Sequence, residues 1–145
     1  MESLPGYKEC FVCGKENPLG LQITLFKDKN EVKAEFVPDT RHQGFKGIVH
    51  GGILFSILDE MMGRTAEVTK GVMALTIEIK IKYRRKAPLG QKIIFTAKMT
   101  KDWGRMIEAQ AQACLEDGTL LTEAQGKFLL VPPEMQREIE EYLEK

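Results

Sequence analysis

The sequence predicts an α+β fold, an antiparallel sheet wrapped around a long central helix, formed by residues 1–145 as a single domain. Three observations predict it. Ile53 to Met62 is apolar almost all the way round, the mark of a helix enclosed by protein rather than lying on a surface. The segments on either side repeat with a period of two, which is the signature of half-buried strands. Alanine and glycine recur at inward positions of the last two strands, leaving room for a thick object such as that helix against their face.

The elements follow in order. The segment to Gly20 is turn-rich, and Asn17-Pro18-Leu19-Gly20 reads as a tight turn into the first strand. In Leu21 to Phe26, Leu21, Ile23 and Leu25 alternate with Gln22, Thr24 and Phe26; Val32, Ala34 and Phe36 do so within Glu31 to Val37. Lys27-Asp28-Lys29-Asn30 is the hairpin loop between them. Pro38 to Val49 has no period; its Asp39, Gly44 and Gly47 mark a loop, with His42 and Gln43 as polar candidates for contact or for simple loop packing. The helix then runs to about Val68, and Thr69-Lys70-Gly71 is its stop.

From Val72 onward Ile77, Ile79, Ile81 and Tyr83 share one strand face, opposite Thr76, Glu78, Lys80 and Lys82. Ala87-Pro88-Leu89-Gly90 turns the chain into a strand with Ile93, Phe95, Ala97 and Met99 on one side, closed by Asp102-Trp103-Gly104. A third has Ile107, Ala109, Ala111, Ala113 and Leu115 inward and ends at the hairpin signal Asp117-Gly118. Leu120, Thr122, Ala124, Gly126, Phe128 and Leu130 line the fourth, so these strands read as a four-stranded meander. Pro132-Pro133 ends it, and Glu134 to Lys145 reads as a short amphipathic helix.

Composition excludes some classes of partner. Lys plus Arg and Asp plus Glu both number 21, so no global field points to nucleic acid. The first ten residues are polar and mixed and no apolar run reaches spanning length, so the expectation is a cytoplasmic protein without a membrane partner. Cys10, Cys13 and Cys114 do not make a disulfide framework. Cys10-Phe11-Val12-Cys13-Gly14 has C-x-x-C spacing, but a zinc site needs four ligands and no second pair follows. Packing at a turn, a metal shared between subunits and a redox pair all remain open for it.

Two features of the helix call for a reason. Its start reads Val49-His50-Gly51-Gly52, without the usual Ser, Thr, Asp or Asn cap. Bare glycines let a ligand oxygen reach N–H groups where the helix dipole favours negative charge, which describes an oxyanion site. They suit a sharp turn into a buried helix equally well. Asp59 lies among Ile57, Leu58, Met61 and Met62, and an ionised carboxylate in such surroundings needs a partner or a task.

Gly51 and Asp59 are eight residues apart, or about 12 Å along a helix axis, too far to touch one carbonyl together. Two antiparallel central helices in a two-fold dimer would bring Gly51 of one copy to Asp59 of the other. Gly52, Phe55, Ser56, Asp59, Met62, Gly63 and Ala66 share one stripe, and its small members Gly52, Ser56, Gly63 and Ala66 would allow the approach.

This order of elements, with His50-Gly51-Gly52 and an acid nine residues after the His, resembles the hotdog-fold acyl-CoA thioesterases, specifically the phenylacetate-pathway branch. The likeness spans about residues 10 to 131; Cys10 to Gly14, Asn17 to Leu21 and the loop His42 to Gly47 share in it. The resemblance implies that Gly51 N–H polarises a thioester carbonyl while Asp59 of the partner subunit acts as general base or nucleophile. It implies that His50 steadies the loop and the thioester end, and that Thr76 positions the water. Relatives keep an Asn or Gln six residues before the motif His, where this chain has Gly44, with Gln43 seven before; either Gln43 serves or the contact is absent. Gly52, Phe45, Phe55 and Met62 would border the acyl group, and Arg84 and Arg85, with Lys86, would meet coenzyme A phosphates unless they are only a solvated strand edge. No cofactor and no metal is required. The implied partner is an acyl-CoA substrate, and the implied assembly a homodimer or a homotetramer built as a dimer of dimers. A hydroxyacyl-CoA dehydratase and a non-catalytic acyl-CoA-binding module are the rival readings.

Overall fold

The computed structural model describes residues 1–144. A seven-stranded antiparallel sheet forms from β1 (Glu2–Ser3), β2 (Phe26–Asp28), β3 (Glu31–Phe36), β4 (Ala74–Tyr83), β5 (Ile93–Asp102), β6 (Met106–Leu115) and β7 (Leu120–Leu130). The helices are α1 (Gly51–Lys70) and α2 (Pro133–Glu141). Helix α1 packs against β3 through β7, and its Leu54, Ile57, Leu58 and Met61 join Phe95, Ile107 and Phe128 in one core. The expected small residues Ala109, Ala111 and Ala113 are buried beneath it. Gly71, at φ 72°, caps the helix by donating its N–H to Glu67 O. This is the hotdog arrangement of a sheet around a helix.

Several expectations change. The strand expected at Leu21–Phe26 begins only at Phe26, because Gln22 takes a left-handed φ of 53° and the segment bonds instead to Phe11 O and Val12 O. Ile23 and Leu25 are buried nonetheless. The hairpin loop shortens to Lys29-Asn30, since Asp28 already pairs with Glu31. The helix starts at Gly51, within the expected Val49–Gly52 start, and continues to Lys70 rather than about Val68. Strands β5, β6 and β7 form a meander, but β4 stands beside β7 and β5 beside β3, so the fourfold meander is broken. As a result β4 is a free edge of the sheet, with Leu75 48 % and Ile77 52 % exposed.

The face of Thr76 also changes. A register shift between Thr76 and Glu78 leaves Ile77 as an extra residue, so Thr76 stands opposite Phe128 and Ile79 opposite Gly126. Opposed residues point to the same face, and Phe128 faces the core. The bulge therefore turns Thr76 inward, towards the helix, and turns Ile77 out. Two members of the proposed contact stripe are not free either. Ala66 is fully buried, and Gly63 lies against Phe128 of its own sheet.

Candidate active site

The helix start is built from three segments. Asp39 and His42 close a reciprocal capping box, and His42 packs edge-on against Phe36. The carbonyl of His42 accepts His50 N at 2.8 Å, and Val49 N donates to Ala87 O at 2.8 Å. The loop and the segment after β4 thus fix where the helix begins.

The terminus is capped, contrary to the bare start expected. His50 Nδ1 accepts Gly52 N at 2.8 Å, so histidine takes the place of the usual Ser or Asp cap. With Nδ1 accepting, a neutral ring carries its proton on Nε2. The hydroxyl of Tyr83 donates to Gly51 O at 2.7 Å. The Gly51–Gly52 peptide is therefore gripped from both sides, its C=O by Tyr83 and its N–H by His50. Among the described residues nothing accepts a hydrogen bond from Gly51 N–H, which is left at the positive end of α1. A Cβ at Gly51 would lie 3.2 Å from the Tyr83 ring and hydroxyl, and one at Gly52 would lie 3.1 Å from His50 Nδ1, so both glycines are set by these close approaches.

Tyr83 was not singled out by the sequence as a site residue. The available signal was a tyrosine ending the inward stripe of Ile79 and Ile81, where an apolar body with a polar tip suits a strand end.

Gly44, Phe45, His50, Gly51, Gly52 and Tyr83 line one open groove together with Arg84, Arg85 and Lys86. Its volume, about 1030 Å³, is at the upper end of ligand-site sizes. Arg84 also pairs with Glu123 at 3.1 Å, leaving Arg85 and Lys86 outside any ion pair among the described residues. Phe45 is 85 % exposed at the loop tip. Gln43 turns back on its own loop, its Oε1 accepting Gly47 N at 2.9 Å, and Gly44 packs on His50. Met62 has no exposed surface and belongs to the core, so it shapes the site only from behind, whereas Phe55 is half-buried.

Asp59 is not among the residues lining that groove. It is half-buried, and its Oδ1 accepts the Thr76 hydroxyl at 2.6 Å, a contact the β4 bulge makes possible. Burial raises the Asp59 pKa above the ordinary carboxylate value, the Thr76 hydrogen bond opposes this, and Glu60 adds to it. Within one chain, then, the free N–H and the acid serve different surfaces.

A carboxylate with a hydroxyl partner and a free N–H at a glycine helix start are thus both carried by the one sheet-wrapped helix. The thioesterase superfamily model matches residues 46–122, and the chain belongs to this family. It is 30 % identical over 122 residues to the acyl-coenzyme A thioesterase THEM4 of Mus musculus, covering 82 % of this chain and 52 % of that protein. The chain thus spans about half the length of the curated relative. A solved thioesterase superfamily protein has a TM-score of 0.77 at 26 % identity, over 83 % of this chain and 62 % of that one. The PaaI protein from the E. coli phenylacetic acid degradation operon has a TM-score of 0.71 at 17 % identity, over 77 % and 81 %, and shares the fold.

Proposed function

We propose that the chain hydrolyses acyl-CoA thioesters of small to medium acyl or aryl groups, at sites completed by a second copy of itself. The observation carrying this reading is the unshared Gly51 N–H, clamped in a groove whose rim is basic. The thioester oxygen accepts from Gly51 N–H, and Arg84, Arg85 and Lys86 hold phosphates of coenzyme A. Because glycine is otherwise mobile, the grip of Tyr83 and His50 on the next peptide keeps the donor aimed before substrate arrives.

Asp59 of the partner subunit supplies the base. Thr76 gives its only hydroxyl hydrogen to Asp59 Oδ1, which leaves the Thr76 lone pairs and Asp59 Oδ2 to hold one water. That favours general-base catalysis over direct attack. Water adds to the carbonyl carbon as its proton passes to Asp59; the tetrahedral intermediate then breaks its C–S bond, and the departing thiolate takes the proton. A carboxylate with a raised pKa is better matched to this task near neutrality than an ordinary one. The exposed apolar edge of β4 supports a dimer, since an unpaired strand is a template for a second strand.

The test is thiol release over a panel of acyl-CoAs, with Asp59→Asn alongside. Release by the wild type, lost by about 10²-fold or more in the variant while acyl-CoA still binds, is the expected result. Hydration of a crotonyl-CoA without thiol release would assign a dehydratase. Binding without turnover of any thioester would assign a binding module.

A further inference from the structure

We propose that Cys10, Cys13 and Glu60 form a binding site for a zinc-class divalent cation that fastens the N-terminal segment to α1. The C-x-x-C spacing alone lacked further ligands, but folding brings one from the helix. The two sulfurs and a Glu60 oxygen all lie within 4.8 Å of one another. Cys10 Sγ and Glu60 Oε1 are 3.4 Å apart, close to the roughly 3.5 Å that separates a sulfur and an oxygen ligand on a tetrahedral zinc.

Each sulfur already receives a backbone N–H. Cys10 Sγ accepts Cys13 N at 3.5 Å, and Cys13 Sγ accepts Tyr7 N at 3.4 Å. Gly14 closes the turn by donating to Cys10 O, and a Cβ there would lie 2.4 Å from Cys10 N. Buried Arg64 reaches Cys13 Sγ at 3.8 Å and Glu60 Oε2 at 3.5 Å, and Glu67 partners it from behind. Two thiolates and a carboxylate carry three negative charges, of which a divalent cation would offset two, with Arg64 shared between Glu60 and Glu67.

Glu60 Oε2 is buried and receives no hydrogen bond, although Arg64 lies within ion-pair distance. A buried carboxylate oxygen in that position is under-served, and bidentate ligation would satisfy it. A mixed thiolate and carboxylate set selects zinc over the softer copper(I). Cys13 is almost wholly buried and Cys10 half-buried, so the cation would be enclosed on the protein side, with a water able to complete four-coordination. Arg64 also donates to Pro5 O at 2.6 Å, so the same network reaches the start of the chain.

The test uses the full chain, purified under reducing conditions and titrated with Co²⁺, then with Zn²⁺. One cobalt per chain, a thiolate-to-cobalt charge-transfer absorption, its displacement by Zn²⁺ and a higher melting temperature with Zn²⁺ are expected. Cys10→Ser and Cys13→Ser should each abolish the absorption. Glu60→Gln, nearly the same shape, should keep it at saturation but weaken affinity at least about 10-fold. Absence of the absorption in the wild type, its persistence in a folded Cys13→Ser, or unchanged affinity in Glu60→Gln would overturn the site. Circular dichroism checks folding; if the cysteine variants unfold, the wild-type spectrum and Glu60→Gln decide.

Discussion

Replacing Tyr83 by Phe removes one oxygen and leaves the ring. The bond lost is the 2.7 Å contact to Gly51 O at a half-exposed strand end, where a neutral hydrogen bond is worth about 0.5–1.5 kcal/mol. If it holds the donor peptide in place, kcat for thiol release falls about 2- to 12-fold, with KM little changed. Gly51→Ala reaches the same bond from the other side. Its Cβ would press on Tyr83 at 3.2 Å, and the exposed tyrosine, rather than the capped helix, gives way. The single variants should lose similar amounts and the double variant no more than either, because one contact cannot be removed twice. Alanine suits a helix better than glycine, which offsets the lost hydrogen bond, so Gly51→Ala should change the melting temperature little. Steady-state kinetics on the four proteins decide. Additive losses, or a loss in KM alone, would refute the clamp.

Two further outcomes follow from the site. With Asp59 as base, kcat/KM falls on the acid side as Asp59 gains its proton, at a pH above the ordinary carboxylate range because burial raises its pKa. Thr76→Val removes the hydrogen bond that opposes this, so a pH–rate profile should show the acid limb moved further upward. Arg84→Ala and Arg85→Ala should raise KM for acyl-CoA several-fold, and less at high salt, while a truncated thioester lacking the phosphates is turned over as before.

Much of this was legible along the chain. The helix and its αL stop, the inward alanines of β6 and the stripe of β7 follow from local periods, which depend only on side-chain direction. Strand order was not, since nothing local in β4 states that it will cross to β7 instead of pairing with β5. Thr76 fell on the wrong face because a strict period of two has no place for the extra residue Ile77. His50 and Tyr83 escaped notice as clamps because a histidine cap is uncommon and a tyrosine hydroxyl reaches its acceptor only through tertiary packing. Glu60 lies next to Asp59 in sequence, and only folding sets it beside Cys10.

Shared construction of each site is tested most directly by hybrid dimers. Asp59→Asn chains and Gly51→Val chains, each inactive alone, are unfolded, mixed in equal amounts and refolded. Random pairing gives half hybrids, each with one intact site of two, so about a quarter of wild-type thiol release should return. A mixture as inactive as its parents, with hybrids demonstrably formed, would contradict a site assembled from Gly51 of one chain and Asp59 of the other.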